Sequence, residues 1–261
     1  MRLRTLVVLS LAVVSLSLLS SCDAFFDTNM FKAAGLGQVS ASALAAKDSS
    51  ELYDSAYASD GKLEVSFIDA LADDPSAKTA VLETLKASWN SGSADPATVQ
   101  KSAALYADIE LQTSGASGVV NNVVDFLASG KPLPSDDDAS GVADLVKGVL
   151  PPALLSDKAA FTAAIEAFVE ADKAYQVMGT SIGSSGAQSG LAAGSIGTAA
   201  QSALIAAVVV GVTPSSGTTV ADALWLAVQG DTSNISGFTD PPTSSGYLGS
   251  LLSAAGIKLE G

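Results

Sequence analysis

The chain has 261 residues, with 27 acidic against 13 basic side chains, a formal charge of −14, a single cysteine and no histidine. Without an imidazole it cannot assemble Ser-His-Asp or Cys-His catalysis, or the commonest zinc and iron ligand sets. A lone cysteine closes no internal disulfide, and the negative field repels phosphate backbones, so nucleic acid is not an expected partner.

The first element is a leader. Met1-Arg2-Leu3-Arg4 is basic, and residues 6–19 run through Leu, Val, Ala and Ser without a charge, the composition of an export signal. The run is shorter than the roughly 20 residues that span a hydrocarbon core, so cleavage is expected rather than a permanent anchor. The junction Leu19-Ser20-Ser21-Cys22 resembles the bacterial lipobox, an apolar residue and two small ones before a cysteine. The resemblance covers this junction and the leader only. It implies that residues 1–21 are a lipoprotein signal peptide and that Cys22 is the lipidation site, its thiol taking a diacylglycerol. Each buried methylene adds about 0.8 kcal/mol, so two or three chains hold a protein durably at a membrane. Loss of Arg2 and Arg4 with the leader takes the formal charge to −16.

Residues 22–47, with Phe25, Phe26, Met30 and Phe31 among polar neighbours, read as a lipidated tether. Helical spacing begins next. Asp48 and Glu51 resemble a capping box ahead of Leu52, Tyr53, Ala56 and Tyr57. Leu63, Phe67, Ile68 and Leu71 form a second stripe, ended by Asp73-Asp74-Pro75. There Asp74 can cap a new helix and Pro75, whose missing donor is not needed in a first turn, can begin it. Val81, Leu82, Leu85 and Trp89 predict the inner face of that helix, and Gly92 suits a left-handed stop. The same punctuation returns at Asp95-Pro96, with Val99, Leu105, Tyr106 and Ile109 before Gly115. This resembles a helical hairpin repeat, but the spaced positions of the tetratricopeptide family are not matched.

Val119, Val120, Val123, Val124 and Leu127 predict a further helix ending at Gly130. Residues 131–138, two prolines and three consecutive acids among them, read as a linker between an N-terminal helical subdomain, 48–130, and a C-terminal one, 139–261. Val142, Leu145, Val146 and Val149 give a short helix halted by Pro151-Pro152. The clearest helix runs from about 156 to 178, burying Phe161, Ile165, Phe168 and Tyr175. Residues 203–212 are continuously apolar; the dense run is too short to span a bilayer and predicts a central core helix. Val220, Leu224 and Val228 give another helix stopped by Gly230, and Leu248, Leu251, Leu252 and Ala255 a last one after the turn-rich 234–245. No stretch sustains period-two alternation. The expected fold is all-α, a multi-helix bundle or irregular helical-hairpin array of about nine or ten helices with little strand.

Gly179-Thr180-Ser181-Ile182-Gly183 matches the Gly-x-Ser-x-Gly nucleophile elbow by letter, but that elbow needs a preceding strand and a histidine, so a helix end is the expectation. Ser59-Asp60-Gly61-Lys62 matches Ser-x-x-Lys without its companion Lys-Thr-Gly, and Gly61 reads as a turn. Gly190 and Gly194 form a Gly-x-x-x-Gly pair suited to close helix approach. Asp136, Asp137 and Asp138 lack the alternating ligands and glycine of a calcium loop and read as solvated linker. Asn234-Ile235-Ser236 has the form of a glycosylation acceptor, a modification not expected here. Glu166 and Glu170, one helical turn apart, are the carboxylates an enzyme would draw on, though an exposed helical face explains them more simply.

These readings lead to a non-catalytic cell-envelope lipoprotein, at the periplasmic face or cell surface. It is attached to the membrane through Cys22 and binds a partner protein complex or small ligand with its helical body, an accessory subunit of a transporter being one form. The alternative is a surface-exposed adhesin or antigen, and a carboxylate-based hydrolase comes third. No catalytic residue, cofactor or metal is expected.

Overall fold

The computed structural model describes residues 39–58, 61–116, 122, 138–191, 194–239, 241 and 245–257. The leader, Cys22, most of the tether, the helix expected around Val119 to Leu127 and linker residues 131–137 lie outside the described residues.

Aspartate begins most of the long helices. After α1 (Ala41–Ala45), the Asp48 carboxylate accepts the amides of Ser50 and Glu51 at 2.9 Å and opens α2 (Ser49–Ala56). α3 spans Val65–Asp73. Asp74 caps α4 (Pro75–Asn90) and Asp95 caps α5 (Pro96–Thr113), each with proline in the first turn as the sequence predicts. Asp138 caps α6 (Ala139–Val149), accepting from the Gly141 amide at 2.8 Å. The short α7 (Pro152–Ser156) follows, and Asp157 caps α8 (Lys158–Ser185). Each such carboxylate satisfies amides that the helix itself leaves orphaned and meets the positive end of its dipole. Five helices thus consume five of the acids that the composition shows in excess. α9 (Ser195–Gly211), α10 (Val220–Val228) and α11 (Gly246–Ala254) complete the helices.

Two short strands, β1 (Val212–Pro214) and β2 (Ile235–Phe238), pair antiparallel with Val212 opposite Phe238. The fold is therefore all-α with one two-stranded ribbon, and eleven helices stand among the described residues. The count exceeds the expected nine or ten for two visible reasons. The last part of the expected tether folds into α1, which buries Leu44 and packs on α4. α6 ends at Val149 ahead of Pro151-Pro152 as expected, and Pro152 also occupies the first turn of a further helix, α7, where its fixed φ suits it. β2 falls in the stretch expected to be turns.

α8, 28 residues long, is the axis. Its most extensive contact is with α5, and α11, α9, α10 and α7 pack around the rest of it. On its other sides α5 carries α4, α2 and α3. Helices from before and after the linker thus share the largest interface. The aromatic stripe read from the sequence, Phe161, Ile165, Phe168 and Tyr175, is buried in α8, as is the run Ala203 to Val209 in α9. Among the described residues no helix is long and apolar enough to cross a membrane.

Candidate functional site

α5 and α8 run antiparallel, and where the first turns of α5 meet the last turns of α8 they leave an open groove of about 570 Å³. Ala94, Pro96, Val99 and Val177 give it an apolar floor, Gln176, Thr180, Ser181 and Ser184 supply polar groups, and Lys173 is its cation. The wall is fixed from behind by Gln100, which is fully buried. Its amide nitrogen donates to the Ser181 hydroxyl at 3.2 Å and to the Gly186 carbonyl at 2.9 Å, and its oxygen accepts the Gln188 amide at 2.9 Å. One side chain of α5 thereby holds the end of α8 and the loop that follows.

The nucleophile-elbow match lies inside α8, which continues past it to Ser185. Ser181 meets an amide there, not a base, and the two glycines have a different task. A Cβ on Gly179 would overlap the Tyr247 carbonyl, 2.8 Å from its carbon, and one on Gly183 would fall 2.7 Å from the Ser250 hydroxyl. The motif is the surface on which α11 lies against α8. Gly190 and Gly194, expected to bring helices together, have φ of 86° and 79° and sit in the loop between α8 and α9. A left-handed backbone cannot belong to a right-handed helix, so close approach passes to Gly179 and Gly183.

The other candidates are spread apart. Glu170 pairs with Lys173 at 2.5 Å while Glu166 is exposed, and neither lines the groove. Asp138 is a helix cap; Asp136 and Asp137 lie outside the described residues, as do Ser59 and Asp60. Gly61 makes the expected turn at φ 80°. Ser236 of the glycosylation-like triplet donates to the Thr213 carbonyl across the ribbon at 3.0 Å. Among the described residues no group of three or more acids or cysteine could hold a metal ion.

Below the groove, a seam of carboxylates and phenols crosses the core. Tyr57, at the end of α2, donates to Asp108 of α5 at 2.5 Å. Tyr247 of α11 donates to Asp172 of α8 at 2.5 Å, and Gln176 donates to the other oxygen of Asp172 at 2.7 Å. Between them the buried Tyr175 hydroxyl lies near Ser202 of α9 without a partner at hydrogen-bond geometry. Burial pushes the Asp108 carboxyl up to about 6, against the opposing pull of the Tyr57 hydrogen bond. Burial and then the Asp108 charge raise Tyr57 and Tyr175, while burial and then the bond to Asp172 raise Tyr247. Tyr106, stacked edge-on against Trp89, is pushed up to about 12 by burial and by Glu110 and Glu170.

Sequence reasoning missed the seam, although part of its signal was present. Asp172 falls on the same inner stripe as Phe161, Ile165, Phe168 and Tyr175, and a carboxylate on such a stripe requires a partner. Tyr57 and Tyr247 are remote in sequence from the acids that they meet, and no spacing rule joins them.

Fold and site define an all-α helical array built on one long helix, with a hydroxyl-bearing groove beside a buried carboxylate–phenol seam. Compared with known protein families, with curated proteins and with solved structures, the chain matches none.

Proposed function

We propose that this is a non-catalytic lipoprotein of the bacterial cell envelope, fastened to a membrane by acyl chains on Cys22, whose helical body binds a partner protein complex or small ligand. The observation that carries the reading is the junction Leu19-Ser20-Ser21-Cys22 behind a basic and then uncharged apolar leader. Thioether formation at Cys22 and cleavage before it leave two or three acyl chains, enough for durable attachment. The absence of histidine from the whole sequence supports a binding role over acyl-transfer chemistry. So does Ser181, whose hydroxyl takes a hydrogen bond from Gln100. The groove at the α5–α8 mouth, apolar below and polar at its edge, has the composition of a binding surface.

The test is metabolic labelling with a palmitate analogue, intact-mass analysis and membrane fractionation of the full chain and of Cys22→Ser. The native protein carries the label and sediments with membranes; the variant does neither. A mature chain with an unmodified Cys22 thiol overturns the proposal. Crosslinking in the intact envelope then identifies the partner, and recurrent capture of one membrane complex supports the accessory-subunit form.

A further inference from the structure

Two buried polar side chains aim the lining of the α5–α8 groove. Asp172, buried in α8, accepts the Gln176 amide nitrogen at 2.7 Å with one oxygen, while Tyr247 of α11 donates to the other at 2.5 Å. Because that nitrogen is held from the core, the planar amide turns its carbonyl oxygen the other way, to the exposed side on which Gln176 lines the groove. Gln100, also buried, places its amide nitrogen on the Ser181 oxygen at 3.2 Å, and a hydroxyl that accepts in this way keeps its own hydrogen to donate. The groove therefore presents one oriented acceptor and one oriented donor. At 3.6 residues per turn Gln176 and Ser181 stand about 140° apart around α8, with Val177 between them, so the two polar groups flank an apolar strip.

That arrangement discriminates among occupants. A helix has already used its backbone N–H and C=O groups internally, whereas an extended chain presents both along its edges while alternate side chains turn down to the floor. Charge narrows the choice further. Lys173, the cation of the groove, is paired with Glu170 at 2.5 Å, and Asp172 lies behind Gln176. Asp95, between the lining residues Ala94 and Pro96, is an exposed carboxylate on a chain of formal charge −14, so an acidic segment is repelled. Given a helical body that serves as a binding module, on which reading this rests, we propose that the groove takes an extended peptide segment without acidic side chains. A backbone N–H of the segment bonds to Gln176 Oε1, a backbone carbonyl accepts from the Ser181 hydroxyl, and an apolar side chain covers Val99 and Val177. Asp172 and Gln100 are the positioning residues behind these contacts.

The test is NMR titration of the isotope-labelled full chain in detergent with three probes: acetyl-Ala-Val-Ala-Val-Lys-amide, the same peptide ending in Glu, and the lysine peptide with every amide nitrogen methylated. The lysine peptide shifts the Gln176 side-chain NH2 and the amides of Val99, Val177 and Ser181, and the acidic peptide binds more weakly. Methylation weakens binding by about three- to tenfold, the net worth of one hydrogen bond. In Gln176→Leu, a change at an exposed side chain, the lysine peptide and its methylated form bind equally within about twofold, which isolates the bond to this residue. Shifts spread over the acidic surface instead of residues 96–99 and 173–185, no shift at millimolar peptide, tighter binding of the acidic peptide, or a methylation penalty that persists in Gln176→Leu overturns the peptide site. Acylation of Cys22 and capture of a membrane complex are read separately, so a chain that shows both and fails this titration loses the peptide site and keeps its binding role.

Discussion

Gly179→Ala tests the role assigned to the Gly-x-Ser-x-Gly match. An added methyl overlaps the Tyr247 carbonyl, and the neighbouring backbone atoms at 2.8 and 3.0 Å cannot rotate out of the way. Either α11 moves off α8 or α8 bends. Overpacking of this kind costs about 1–3 kcal/mol, and a clash against backbone belongs at the upper end. Alanine returns up to about 1 kcal/mol of helix propensity over glycine, which leaves a net loss of about 1–2 kcal/mol. For a chain of this size that is a fall in Tm of about 2–8 °C. Gly183→Ala is the internal control: its methyl meets only the Ser250 hydroxyl, the movable end of a side chain, so the propensity gain should leave it neutral to about 1 kcal/mol more stable. Urea unfolding of both variants, followed by circular dichroism at 222 nm, reads the difference directly. If Gly179→Ala is as stable as the native chain, or if Gly183→Ala is the more damaged of the two, α11 is not seated on these glycines and the packing account fails.

Three further outcomes follow from the same contacts. Gln100→Ala removes a fully buried side chain with three hydrogen bonds and leaves the Gln188 amide without its acceptor. A loss of about 2–4 kcal/mol in urea unfolding is expected, together with faster amide exchange after Ser185; protection unchanged there would refute the clamp. Asp95→Ala deletes an N-cap that accepts two amides and the Thr98 hydroxyl, for a loss of about 1 kcal/mol, while Asp95→Asn should recover most of it in thermal melts. For Asp108 the sign is that of an acid whose folded-state pKa is raised. The folded chain binds the proton more tightly, so this group's stabilising contribution is present at low pH and disappears as pH rises from about 4 through about 6. The span amounts to at most about 3 kcal/mol, and urea midpoints across that window should fall less in Asp108→Asn than in the native chain.

Much of the helical array was legible because the signals were local. An aspartate or Asx-like cap, a proline one position on and an apolar stripe sit within a few residues of one another, so Asp74-Pro75 and Asp95-Pro96 announced α4 and α5 before any tertiary contact was known. What stayed hidden depends on partners distant in the chain. β2 forms because Val212 is brought opposite Phe238, and nothing within 235–238 alternates strongly enough to show it. Gly179 and Gly190 look alike as letters, but one lies in a helix against Tyr247 and the other is held at positive φ. The groove lies between residues on either side of a long connection, so no window of sequence contains it.

The composition of the core explains why polar contacts carry so much of its specification. Alanine supplies a large part of what α5, α8 and α9 bury: Ala103, Ala104 and Ala107; Ala164, Ala167, Ala171 and Ala174; and Ala199, Ala200, Ala203 and Ala206. Small side chains let helices approach closely, but they have little shape, and a smooth interface can slide by a turn with small loss of buried area. Three features break that degeneracy: the aromatic stripe of α8, the glycines under Tyr247 and Ser250, and the three polar ties at the buried Gln100 and Asp172 and the half-buried Asp108. Each tie joins α5 or α8 to a different segment, the 186–188 loop, the end of α2 and α11. A one-turn slip of either helix would leave a buried amide or carboxylate without its partner, a larger penalty than the lost packing. Replacing all three by apolar residues of similar volume would therefore weaken uniqueness before it weakened compaction, giving a chain that keeps its helical circular dichroism but loses dispersion in its NMR side-chain signals. Retention of native dispersion in that triple variant would show that the aromatic stripe alone sets the register.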